Sequence, residues 1–85
     1  MLVAEIDPKD LVRVRYSHGG TTREIVAFSV SLVPVHLKGT NRRVIVTELL
    51  FDPNLQSPSE PYVTGQYERL LLFSRAIKSV KPYIG

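Results

Sequence analysis

Leu11-Val12-Arg13-Val14-Arg15-Tyr16-Ser17-His18-Gly19-Gly20-Thr21-Thr22-Arg23-Glu24-Ile25-Val26 is the stretch on which the fold turns. Val12, Val14 and Tyr16 alternate with Arg13 and Arg15, the period-two pattern of a strand with one face in the core and the other in water. Gly19-Gly20 supplies two positions that take positive φ without a Cβ penalty, which a tight hairpin needs. The return strand runs from Thr21 to about Leu32. Thr22, Glu24, Val26, Phe28, Val30 and Leu32 share one face, and Thr21, Arg23, Ile25, Ala27, Ser29 and Ser31 share the other.

Further along, Leu32 and Val33 are adjacent apolar residues followed by Pro34. Proline has no N–H to give to a ladder, so a bulge, bend or edge is expected there, with Val33, Val35 and Leu37 resuming one residue out of phase. Lys38 to Arg42 reads as the next turn. Arg43 to Phe51 is a third strand, apolar on both faces for much of its length and therefore central. Asp52 to Gly65 holds three prolines and reads as a long loop, functional or mobile. Gln66 to Ser74 is a fourth strand, and Arg75 to Lys81 a turn with a short closing strand. The expectation is one all-β domain over residues 1–85, a strongly bent antiparallel sheet or an SH3/Sm-like barrel of about five strands. The alternative is α+β, because residues 67–79 also hold good helix formers, with Leu70, Phe73 and Ile77 at helical spacing.

Composition narrows the function. A chain of 85 residues makes one domain with a thin core, which oligomerisation would help. The absence of cysteine excludes disulfides, thiolate nucleophiles and cysteine-ligated metals. Met1 to Pro8 has no basic start and carries two acids, so no signal peptide is expected. No apolar run approaches the ~20 residues of a membrane helix. A cytoplasmic protein fits these features. The net charge of +3 permits an anionic partner without demanding one.

Three stretches carry a family likeness: Val12-Arg13-Val14-Arg15-Tyr16, Thr22-Arg23-Glu24-Ile25-Val26, and Tyr67 to Val80 with its Arg69, Arg75 and Ile77. Together they resemble the WYL domain, a small Sm/SH3-like barrel of bacterial and phage regulators. Val44-Ile45-Val46 or a neighbouring stretch stands where that family has Trp-Tyr-Leu. The resemblance implies a barrel that binds nucleic acid or a nucleotide-like ligand through arginines and polar side chains.

The residues themselves point the same way. Arg13 and Arg15 project from one face, ~6.8 Å apart, and Arg23 is expected on or near the same region. Guanidinium groups offer planar, bidentate donors to phosphate. The competing reading is a solvated face paired with Glu24, Glu48 or Glu68. Lys38, Arg42 and Arg43 crowd a turn with no acid, where backbone amides can join them on a phosphate. Arg69 and the proline-loop Tyr62 complete the candidate nucleic-acid-binding set, Tyr62 as an exposed residue for base stacking. Arg75, Lys78 and Lys81 form another basic group that aligns only on a helix. His18 and His36 have no motif partners, and no triad, phosphate loop or metal-ligand spacing is present. The expectation is a non-enzymatic module without cofactor or metal, binding RNA or single-stranded DNA. The alternative is a protein-interaction or structural subunit, acting as a homo-oligomer or within a larger complex.

Overall fold

The computed structural model describes residues 4–84; Met1 to Val3, where the N-terminal stretch begins, and Gly85 lie outside it. The Gly19-Gly20 signal is realised as expected. Strand β2 (Val12–His18) returns as β3 (Thr21–Ala27) through a two-residue turn with φ of 58° at Gly19 and 80° at Gly20. The ladder runs from Val12 opposite Ala27 to His18 opposite Thr21 without a slip. Ahead of it lies β1 (Ala4–Ile6), then a 3-10 turn over Pro8–Asp10 that Asp7 caps by accepting the Lys9 N–H at 2.9 Å.

Only Phe28 separates β3 from β4 (Ser29–His36). Its N–H donates to the Leu50 carbonyl at 2.9 Å, so one continuous chain leaves the first sheet and enters the second. The bend therefore falls at Phe28 and not at Pro34, and no phase shift occurs at Leu32-Val33. The pairing of β4 with β5 (Arg43–Phe51) is unbroken from Ser29 opposite Leu50 to His36 opposite Arg43. Pro34 is tolerated because β4 is an edge strand. The Leu37 N–H donates to the Arg42 carbonyl. That bond sets the phase of the ladder and turns the position-34 nitrogen away from β5.

Strand β7 (Glu68–Leu72) pairs with Thr47 to Phe51 of β5, a 3-10 turn occupies Ser74–Ala76, and β8 (Ile77–Pro82) pairs with β2. The helix alternative over 67–79 is thus overturned: β-pairing buries Leu72 while Leu71 stays exposed, and this tertiary burial outweighs the helix propensity of the segment. The strands form two three-stranded antiparallel sheets, β3-β2-β8 and β4-β5-β7, and a two-stranded ribbon of β1 with β6 (Tyr62–Thr64). The expected bent sheet is present, shared between two sheets through the Phe28 bend, but it does not close into a barrel. Closure needs a ladder between β7 and β8, and the turn joining them sends the chain to β2 instead.

The two larger sheets face each other over Val14, Tyr16, Ala27, Leu49 and Leu72. A second cluster, Ile6, Leu11 and Val26 with Phe28, Tyr62 and Tyr83 against it, lies where the β1–β6 ribbon covers part of the outer face of β3-β2-β8. The molecule measures 44 × 31 × 18 Å with a radius of gyration of 14.0 Å, against about 12 Å for a round chain of this length. The β4–β5 hairpin accounts for the elongation. Between Leu32 and Ile45 no residue is buried, and Arg43 to Val46 have β4 as their sole ladder partner.

Leu49 is fully buried between the sheets, whereas Leu32 on the neighbouring strand is 68% exposed. Leu49→Ala is expected to lower unfolding free energy by about 2–4 kcal/mol. Leu32→Ala is expected to change it by no more than ~0.5 kcal/mol, both read by urea denaturation.

Candidate nucleic-acid interface

The part of the outer face of β3-β2-β8 left uncovered by the ribbon is basic. Arg13 lies directly opposite Lys81 of β8, and Arg15 opposite Ser79. The register between β2 and β8 shifts between Arg15 and Tyr16, and Lys78 is left without a Cα partner on β2. Across the other ladder Arg15 faces Glu24, the one carboxylate paired with this face, and the two do not close into an ion pair. The Arg13 guanidinium carbon sits 4.7 Å from the centre of the Tyr83 ring. The Tyr83 hydroxyl in turn donates to the Pro58 carbonyl at 2.9 Å. This cation–π contact, worth ~0.5–1 kcal/mol at an exposed site, holds Arg13 in a defined place.

Arg23 does not join this group. A two-residue turn at Gly19-Gly20 pairs residues whose numbers sum to 39, which places Arg23 opposite Tyr16 on the other face. The sequence held that signal, because the sum follows from the turn itself. Arg69 is also removed: it pairs with Glu48, the only ion pair among the described residues, so Glu48 serves Arg69 and not the Arg13–Arg15 face for which the sequence offered it. Lys81 is the residue the strand pattern did not assign here. Nothing local says that β8 returns to lie beside β2.

A second basic site stands at the end of the β4–β5 hairpin. Lys38, Arg42 and Arg43 are exposed there beside His36. The turn is built by Gly39 at φ 79° and by Thr40, whose hydroxyl donates to the Leu37 carbonyl and accepts from the Arg42 N–H. The His36 ring nitrogen Nε2 bonds the Thr40 carbonyl. No Asp or Glu occurs between Glu24 and Glu48, so the whole arm carries no negative side chain.

Tyr62 is neither in an open loop nor free to stack. It belongs to β6, opposite Ile6, and packs on the second core cluster. Burial first, and the nearby Asp52 carboxylate second, raise its pKa above 10.0. Asp52 anchors the whole proline-rich segment. Its side chain is buried, accepting from the Asn54 N–H at 2.9 Å and from the Thr64 hydroxyl at 2.8 Å. Asp-Pro-Asn is an Asx-turn sequence, the clue available in the primary structure. Gln56 completes the anchor, its amide accepting from the Val26 N–H and donating to the Val26 and Asp52 carbonyls. The segment lines a shallow, open pocket of about 280 Å³ between Leu55 and Tyr62.

Among the described residues no three His, Asp or Glu side chains gather as a metal-ligand set, and no helix is long and apolar enough to cross a membrane. No protein-family model, curated protein or solved structure matches this chain.

Because Tyr62 ionises less readily when folded, its contribution to stability is complete below pH ~10 and is lost as pH rises through its raised folded value. A spectrophotometric titration at alkaline pH is expected to show a phenol ionising above 10.0 that disappears in Tyr62→Phe. In Asp52→Ala two hydrogen bonds to a carboxylate are lost, the Thr64 hydroxyl keeping only the Gln66 carbonyl, at a cost of ~1–3 kcal/mol. Amide exchange is expected to accelerate in residues 53–64 of that variant.

Proposed function

We propose that this protein is a non-enzymatic nucleic-acid-binding module that contacts the phosphate backbone through the β2–β8 face. The observation that carries the reading is the ladder position of Arg13 opposite Lys81, with Arg15 next along β2. Like charges directly opposed in a sheet destabilise it, and an anionic partner offsets that repulsion. Arginine is the side chain best shaped for phosphate. The stretches that resemble the WYL domain supply Arg13 and Arg15 to this face, and a cytoplasmic, regulatory setting belongs to the same reading.

Base stacking supports this function less than expected. Tyr16 is buried, Tyr62 is packed on the core, Tyr83 lies under Arg13, and Tyr67 meets Phe28 edge-on at 5.8 Å. Contacts led by the backbone follow from this, with Arg13, Arg15 and Lys81 as the central groups. A second reading, assembly with a protein partner or another copy, is favoured by the exposed Leu32, Ile45 and Val63 and by the free edges of β3, β4, β7 and β8.

Fluorescence anisotropy with labelled nucleic acids at about 50 and 200 mM salt tests the first reading. Binding is expected to fall steeply over this range as counterions are released. Arg13→Ala/Arg15→Ala is expected to weaken it and to flatten the dependence of log K on log salt by ~2 units, about one per lost phosphate contact. An unchanged slope in that double variant removes the β2–β8 face as the binding site.

A further inference from the structure

We infer that the β4–β5 hairpin is an arm that enters the major groove of duplex DNA; the inference rests on the nucleic-acid reading and names the form of nucleic acid. The arm is a two-stranded ribbon standing clear of the body, with no buried residue between Leu32 and Ile45. Ladder pairing puts Leu32, Pro34 and Ile45 on one of its faces, and carries that face on to His36 opposite Arg43 at the tip. Leu32 and Ile45 are 68% and 59% exposed. The other face is less open: Val33, Val35 and Val44 are half-buried and Val46 is buried. One face of the arm is therefore an apolar stem leading to a basic end, facing solvent.

Charge decides the class of partner. From residue 25 to residue 47 the chain holds no acid, and Lys38, Arg42 and Arg43 all sit at the tip. A surface with cations around exposed aliphatic groups suits a groove walled by phosphates and floored by base edges and thymine methyls. Width decides the groove. A two-stranded ribbon fits the ≈ 12 Å major groove of B-form DNA and not the ≈ 6 Å minor groove. The deep, narrow major groove of A-form RNA excludes it. Single strands find few free stacking platforms: Tyr16, Tyr62 and Tyr83 are engaged within the protein, and the exposed rings are Tyr67, edge-on to Phe28, and Phe73, against Arg75.

In this arrangement Lys38 and Arg42 hold the flanking phosphates. Arg43, on the face shared with Ile45, reaches toward base edges. Leu32 and Ile45 meet the groove floor. The arm needs no rearrangement to do this, because the ladder from Ser29 to His36 is complete in the free protein.

The experiment compares binding to a B-form DNA duplex, an RNA duplex and a single strand of the same sequence, with dimethyl sulfate footprinting of the DNA. Methylation of guanine N7 reports the major groove and that of adenine N3 the minor groove. Expected are tighter binding to the DNA duplex, protection of N7, and loss of both in Lys38→Ser/Arg42→Ser/Arg43→Ser. That variant should bind at least about tenfold more weakly and lose ~2–3 units of salt slope. Leu32→Ser/Ile45→Ser, at exposed positions that leave the core intact, should lose N7 protection while keeping most of the salt slope. Duplex binding with unprotected N7, or with affinity unchanged in the tip variant, overturns the arm and leaves the β2–β8 face standing. Absence of binding to every nucleic acid at about 50 mM salt overturns both readings.

Discussion

The bend at Phe28 is the constraint from which the remaining architecture follows. One residue, its N–H held by the Leu50 carbonyl, lets a single chain serve first as the edge of one sheet and then as the edge of another. The inner faces of the two sheets are thereby brought together, and Val14, Ala27 and Leu49 lose all contact with water. The hairpins on either side of the bend are unequal in their support. β2 gains ladders from β3 and β8, whereas β5 has β7 beside only its last five residues. The surplus length of β4 and β5 has nothing to pack on and projects as the arm. The arm is thus a consequence of strand lengths around one bend.

The proline-rich segment shows how a thin core is extended without a third large sheet. Asp52 and Gln56 convert what reads as slack chain into a fixed cover. The carboxylate takes one backbone and one hydroxyl donor, and the Gln56 amide meets the N–H and carbonyl of Val26 much as a neighbouring strand would. That contact also shields the β3 edge at Val26 from pairing with another chain, an exposure that natural sheets commonly cover. Tyr62 and Tyr83 then fill the space between this cover and the sheet. The same tyrosines that make the second cluster are consequently lost as stacking platforms.

What could be read from the sequence divides along the range of the interactions involved. The strand and turn of the β2–β3 hairpin are legible, since alternation and the double glycine are local, although the return strand ends at Ala27 and not near Leu32, and Arg43 to Phe51 is legible as a central strand from its two-sided apolar character. Pro34 misled because a missing N–H marks either a bend or an edge, and only the neighbouring strands decide which. Phe28 carries no breaker signal at all, so the true bend was silent. The ribbon of β1 with β6 and the return of β8 to β2 depend on contacts across more than fifty residues, which no local pattern encodes. The candidate site suffered from the same limit. Arg13 and Arg15 follow from alternation, Arg23 is misplaced without the register sum, and Lys81, on the expected short closing strand, has no assigned neighbour until the β2–β8 ladder sets it opposite Arg13.

The placement of charge bears on the size of the partner. Every acid lies within residues 5–24 or 48–68, leaving the arm and the last seventeen residues with cations alone. Folding keeps the resulting basic sites apart. Arg13 lies near the Phe28 bend, opposite Val26, with Lys81 on its other side across the β2–β8 ladder, while the tip of the arm is seven ladder steps beyond the bend, roughly 23 Å along the strand. A small anion reaches one of these sites and leaves the repulsion at the other unrelieved. On the proposed nucleic-acid reading, an extended polyanion with a phosphate at every step would engage both at once, and each neutralised contact would add to the same binding event. On that reading, the separation that makes this protein long favours a polymer over a small anionic ligand.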